Sequence, residues 1–173
     1  MILANTIWVI DPTHSEVKHL MISTVTGNFK VFEGTVETET EEFSKVKHLE
    51  FKAVVGSVNT NNDDRDTHLK SDDFFAAEKF PEIKFQAGRF EINTGKIEGK
   101  LRLKNTTKSV SLDVDFGGVV VDPYGQTKVG LTVTGKISRK DFGLVWSQVT
   151  EAGSVVVGDQ IKLSAEVQFI KQA

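Results

Sequence analysis

The chain has 173 residues, a net charge of −3, and a composition that is 39% hydrophobic and 26% charged. That length fits one domain with its own buried core. It carries no clustered basic stripe, no apolar run long enough to cross a bilayer as a helix, and no cysteine. These absences argue against nucleic-acid binding, a membrane-spanning helix, disulfides and thiolate chemistry.

The opening residues, MILANTIWVID, have neither a basic leader nor a long apolar stretch. No secretory signal peptide is expected there, and a cytoplasmic location is the corresponding expectation. TIWVI at 6–10 reads as a short strand. VKHLMI at 17–22 has apolar residues in both phases, and NFKVFEGTV at 28–36 changes phase between Val31 and Phe32. Both are still expected to be strands. LEFKAVV at 49–55 alternates cleanly, with Leu49, Phe51, Ala53 and Val55 on one face.

More than twenty residues then separate Val58 from Glu82, too many for a hairpin loop. The segment at about 60–80 is expected to be a helical insert. Thr60 followed by Asp63 resembles a capping box, opening a turn that runs through Lys70 with Leu69 as its apolar pin. Asp72 or Asp73 can cap a second helix over DDFFAAEKF, ended by Pro81. Phe75 falls off the apolar stripe of that helix. The helix is therefore distorted, or Phe75 has an apolar partner of its own.

Alternation resumes in IKFQA at 83–87, with Ile83, Phe85 and Ala87 on one face. GRFEI then shifts phase, which predicts a bulge near Gly88. KIEGKLRLK at 96–104 places Ile97, Gly99, Leu101 and Leu103 together, and SVSLDVDF at 109–116 does the same with Val110, Leu112, Val114 and Phe116. VGLTVTGKI at 129–137 aligns Val129, Leu131, Val133, Gly135 and Ile137. IKLSAEVQF at 161–169 aligns Ile161, Leu163, Ala165, Val167 and Phe169. NTG at 93–95, KNTTK at 104–108 and DPYGQ at 122–126 supply turns.

About eight antiparallel strands with one apolar face predict an all-β up-and-down barrel or a sandwich. The twelve phenylalanines suit a dry interior. Ala53, Ala87, Gly99, Gly135 and Ala165 face inward on five strands. They either hollow the middle at a shared level or each accept a large neighbour. The pattern by itself slightly favours a filled core, since interiors pack densely.

Rival chemistries find little support. Asp64 and His68 stand at a spacing that lets two ligands reach one metal, but no further paired ligand accompanies them. His14 beside Ser15 would face the opposite side of a strand. The aspartates of 63–73 are expected to be solvated charges. His19 points inward with Val17 and Met21, either bonded to backbone or placed to meet a ligand's polar head. No metal and no cofactor is expected. Residues 138–160 are long for a hairpin, and their Trp146 either covers an opening or packs outside.

Several stretches together resemble the YceI-like, polyisoprenoid-binding family. They are WVIDPTHS at 8–15, KHLMISTVTGNFKVFEG at 18–34, SVNTNNDDRDTHLKSDDFFAAEKFPEIKF at 57–85, GKLRLKNTTKSVSLDVDF at 99–116 and GKISRKDFGL at 135–144. The RDTHL block followed by two phenylalanines is the most specific of them. The resemblance spans nearly the whole chain as a single domain, 1–173. It implies an eight-stranded, lipocalin-like antiparallel barrel with a short helical insert beside an elongated apolar pore. The implied function is a non-enzymatic binding protein that holds a long isoprenoid or other lipid for carriage, storage or protection.

On that basis the expected wall is Phe51, Phe85, Leu101, Val114, Leu131 and Leu163. Val17, His19, Met21, Leu49, Ile83, Phe116 and Val133 share the inward faces. Ala53, Ala87 and Ala165 give room, and Phe74 and Phe75 stand at a mouth. A homodimer is compatible with this reading. The chain departs from the family pattern in three places. The run from His14 to Lys18 is several residues short, Asn105 and Thr106 replace a common Gly-Val pair, and the signal peptide of many members is missing. An enzyme acting on a small apolar substrate and a fully packed interaction barrel are the alternatives.

Overall fold

Strands whose apolar residues recur every second position shed water on one face and keep it on the other, so they assemble into a sheet that closes around its dry side. The structure is a computed structural model that describes residues 6–11, 15–21, 25–144 and 160–172. Its strands are β1 (Thr6–Ile10), β2 (Glu16–Met21), β3 (Val25–Phe29), β4 (Phe32–Thr38), β5 (Lys45–Val54), β6 (Val58–Asn59) and β7 (Glu82–Ala87). β8 (Phe90–Glu91), β9 (Lys96–Leu103), β10 (Thr106–Val121), β11 (Thr127–Ser138) and β12 (Gln160–Lys171) follow. The one α-helix among the described residues is α1 (Asp63–Lys70).

The antiparallel ladders run β1–β4–β5–β7–β9–β10–β11–β12, and β12 pairs back onto β1. The barrel is therefore closed and eight-stranded. Four of its staves are broken in two. β12 pairs with β1 through residues 169–171 and with β2 through 161–166, so β1 and β2 lie in line. β3 with β4, and β5 with β6, continue each other in the same way. β7 and β8 both pair with β5.

The breaks account for the irregular phases in the sequence. Val31 sits in the gap between β3 and β4 and is 55% exposed. The bulge expected near Gly88 lies elsewhere. Leu49 opposes Ala87 and Val46 opposes Phe90, an unchanged register across Gly88. The register shifts instead between β4 and β5, where Glu37 opposes His48 but Thr38 opposes Val46. The surplus residue is Lys47, and β7–β8 follow the slip that it imposes.

Aromatic packing closes one end of the barrel. The loop after β4 carries Phe43 inward, where it is 3% exposed. It meets Trp8 edge-on at 5.0 Å, stacks on Phe116 at 6.0 Å and tilts against Phe169 at 6.1 Å. The Trp8 indole N–H donates to Thr38 Oγ1 at 3.2 Å, so this buried polar atom is satisfied.

The insert lies at the opposite end, and its local chemistry differs from the expected capping box. Asn62 caps α1, its side chain accepting the Arg65 N–H at 3.0 Å. Thr60 instead donates its N–H and hydroxyl to Asp66 at 2.9 and 2.6 Å. Arg65 donates to Thr60 Oγ1 and to its carbonyl, each at 2.8 Å. Asp66 is thus a buried structural acceptor and not a solvated charge. No second helix follows, because Ala76 adopts φ 48°, a left-handed conformation that turns the chain out of a helical path. The Phe75 N–H reaches back to the Leu69 carbonyl at 3.0 Å. These turns bury both Phe74 and Phe75, which a regular helix would have set on different faces.

Candidate functional site

Inward side chains do not fill the barrel. A cavity of about 150 Å³ runs inside the sheet from Phe75, Phe29 and Ile161 at the insert end to Phe169 near the aromatic plug. Ile161 and Phe169 lie on one strand, roughly 25 Å apart along it. The lining is almost wholly apolar. Glu50 borders the cavity, but its carboxylate turns to the outer face, 3.9 Å from His48 and 3.8 Å from Lys52. A void of this size walled by Leu, Ile and Phe stays dry and accepts an apolar guest.

The structure brings most of the expected wall residues together. Leu49, Phe51, Ala53 and Ile83 line the cavity from β5 and β7, with Phe85 and Leu101 beside them. Leu131, Val133, Leu163 and Ala165 close it from β11 and β12, and Phe75 stands at its insert end. Four residues fall elsewhere. Val114 and Ala87 are buried within the sheet but do not reach the cavity. Phe116 stacks on Phe43 in the plug, and Phe74 packs edge-on against His68 at 5.1 Å. For the three strand residues the level along the strand explains this, since a residue can face inward where other side chains already fill the space; Phe74 is carried elsewhere by the turns of the insert.

The backbone of β2 sets Val17, His19 and Met21 opposite Ala165, Leu163 and Ile161. Their side chains lie outside the described residues, as do His14 and Trp146. Lining residues left out of the expected set include Ile10, Phe29, Ile97, Val110, Leu112 and Ile137. Period two had already placed Ile97, Val110, Leu112 and Ile137 on inward faces; only the level along the strand was missing. Phe29 could not be assigned, because its stretch mixes phases.

The small residues divide between their two expected roles. Ala53 and Ala165 line open space. Gly99 and Gly135 accept large neighbours: a Cβ built on Gly135 would lie 2.4 Å from Leu112 Cδ2, and one on Gly99 2.6 Å from Phe85 Cζ. The remaining polar candidates make structural contacts. His68 pairs with Asp73 at 2.9 Å on the exposed insert. Ser15 Oγ accepts the Gln168 N–H at 2.9 Å. Among the described residues no group of three or more His, Asp or Glu could hold a metal ion.

Comparison with known proteins agrees with this architecture. The family model of the YceI-like domain matches residues 8–169. A UPF0312 protein of Staphylococcus aureus strain bovine RF122 / ET3-1 is 37% identical over 167 residues, covering 94% of this chain and 96% of its own. Among solved structures, a YCEI protein of Campylobacter jejuni superposes with a TM-score of 0.74 at 35% identity, covering 89% of each chain. A polyisoprenoid binding domain from Saccharophagus degradans shares the fold, with a TM-score of 0.70 at 14% identity, over 98% of this chain and 99% of that one.

Proposed function

The chain belongs to the YceI-like domain family, and from that premise we propose that it is a non-enzymatic binding protein for a long apolar lipid, an isoprenoid or similar chain. The single observation that carries this reading is the apolar cavity running along the closed barrel. The name of the Saccharophagus degradans neighbour, a polyisoprenoid binding domain, supports the ligand class.

Burial supplies the affinity. Each methylene moved from water into the cavity contributes about 0.8 kcal/mol. Apolar burial has no direction, so selectivity resides in the length and width of the space. A chain threading the whole cavity needs more room than the 150 Å³ present, so rings such as Phe51 and Phe85 turn aside as it enters. Carriage, storage and protection all use this one property, because each requires a lipid to be kept from water and later released.

Mass spectrometry of organic extracts from the purified native protein tests the proposal. A long-chain lipid recovered at near-stoichiometric yield is expected. Leu101→Trp fills the middle of the cavity and should abolish that recovery while the circular dichroism of the barrel persists. Undiminished lipid in a folded Leu101→Trp variant would refute the cavity as its site.

A further inference from the structure

A second concavity lies on the outer face of the barrel, where the wall is incompletely sewn. The ladder between β7 and β9 consists of three pairs, Lys84 with Arg102, Phe85 with Leu101 and Gln86 with Lys100. Beyond Gln86 the β7–β8 stave stays on β5, while residues 97–99 of β9 pair only with β10 among the described residues. The two staves therefore part at Gly88. A cleft of about 650 Å³ occupies the split, with His48, Gln86 and Gly88 on one lip and Glu98, Lys100 and Ser109 on the other.

The cleft and the interior cavity adjoin. Val110 borders both. Gly99 lies in the cleft wall and carries no side chain, and directly inside it is the ring of Phe85, which lines the cavity. The Phe85 ring thus stands between the outer cleft, with its mixed polar and apolar lining, and the apolar interior.

We propose that this split is a side portal and head-group site of the cavity, with Phe85 as its gate. The inference rests on the reading of the cavity as a lipid site and adds where the lipid's polar end resides. The lips offer an amide, serine hydroxyls, an imidazole and one charge of each sign, Glu98 and Lys100. An uncharged head bearing a hydroxyl or carbonyl finds donors and acceptors there. A carboxylate or an ammonium meets one like and one opposite charge there, so it gains no net attraction to offset its loss of water. When the Phe85 ring swings away from Gly99, the tail passes inward and the head stays at the lips.

The chain has no cysteine, so a single introduced thiol can be labelled uniquely. A Cβ at Gly88 meets nothing within 4 Å, so Gly88→Cys fits without strain. Gly88→Cys and, as control on the insert, Glu78→Cys each receive a small thiol-reactive fluorophore. Two uncharged stearyl esters serve as probes, one with a nitroxide at its head and one with a nitroxide beside its terminal methyl. Binding of each to the unlabelled protein is first measured by gel filtration. The head nitroxide should remove most emission from the Gly88 label while the tail nitroxide spares it. Bound probes that quench the Gly88 label equally, or that quench only Glu78 with the head nitroxide, overturn the portal and leave the cavity reading intact. Failure of either probe to bind at all overturns the cavity reading, and the portal with it. In competition, hexadecanol should displace the head-nitroxide probe at lower concentration than hexadecanoate or hexadecylammonium; the reverse order overturns the assigned head-group chemistry. Phe85→Leu should speed probe association, and an unchanged rate in that folded variant overturns the gate.

Discussion

The ring of Phe85 occupies the space that a side chain at Gly99 would need: a Cβ built there would lie 2.6 Å from Cζ and 2.4 Å from the carbonyl oxygen of Gln86. The second contact is with backbone, which cannot move aside cheaply. Gly99→Val should therefore destabilise the barrel by about 1–3 kcal/mol through overpacking. Urea unfolding followed by circular dichroism measures this as a lower midpoint at unchanged slope. An unaltered midpoint would mean that the ring and strand relax freely.

Phe43 closes one end of the barrel against Trp8, Phe116 and Phe169. Phe43→Ala should cost about 3–5 kcal/mol, the range for truncating a buried aromatic residue. It should also expose Trp8 to small aqueous quenchers, since Trp8 is fully buried in the native protein. Fluorescence quenching and thermal unfolding read the two effects separately.

The insert depends on Asp66 in its buried pair with Thr60. Asp66→Ala leaves the Thr60 N–H and hydroxyl without their acceptor. A loss of about 1–3 kcal/mol is expected for that unmade bonding. Amide exchange in 60–80 should rise more than exchange in β10 and β11, because the damage is local.

At the β10–β11 turn, the Asp122 carboxyl is held below its ordinary value, chiefly by the Gln126 N–H and further by the Tyr124 N–H and Lys128; partial burial opposes them. Both N–H groups lie 2.9 Å from its Oδ1. A lowered folded value means that the contribution is fully present above the unfolded value of about 3.9 and is lost as pH falls through the lower folded one. The difference in Tm between the native protein and Asp122→Asn should accordingly hold at neutral pH and shrink below about pH 4. A difference that grows in acid would contradict the assignment.

Strand alternation made the antiparallel sheet and the inward faces of β9 to β12 legible, but it fitted a sandwich as well as a barrel, and only the family resemblance pointed to a hollow barrel. The four broken staves were harder, because a break at Val31 or at Gly88 looks in sequence like a lost phase. The Lys47 bulge was misplaced onto the neighbouring strand, as a slip in one stave is copied by its partner. Within the site, faces were readable but levels were not. Val114 and Phe116 share a face with Val110 and Leu112, yet only the latter pair meets the cavity. Level depends on stagger between strands, and no single strand encodes it. The turn at Ala76 had no glycine or asparagine to announce it.

The aromatic stopper beyond Phe169 gives the barrel a floor at that end. A lipid held there would enter tail first, and its tail would be the part that meets the floor. Under the proposed role such a container would gauge its contents by depth: once a chain reached the floor, further carbons would hang outside in water and gain nothing from being there.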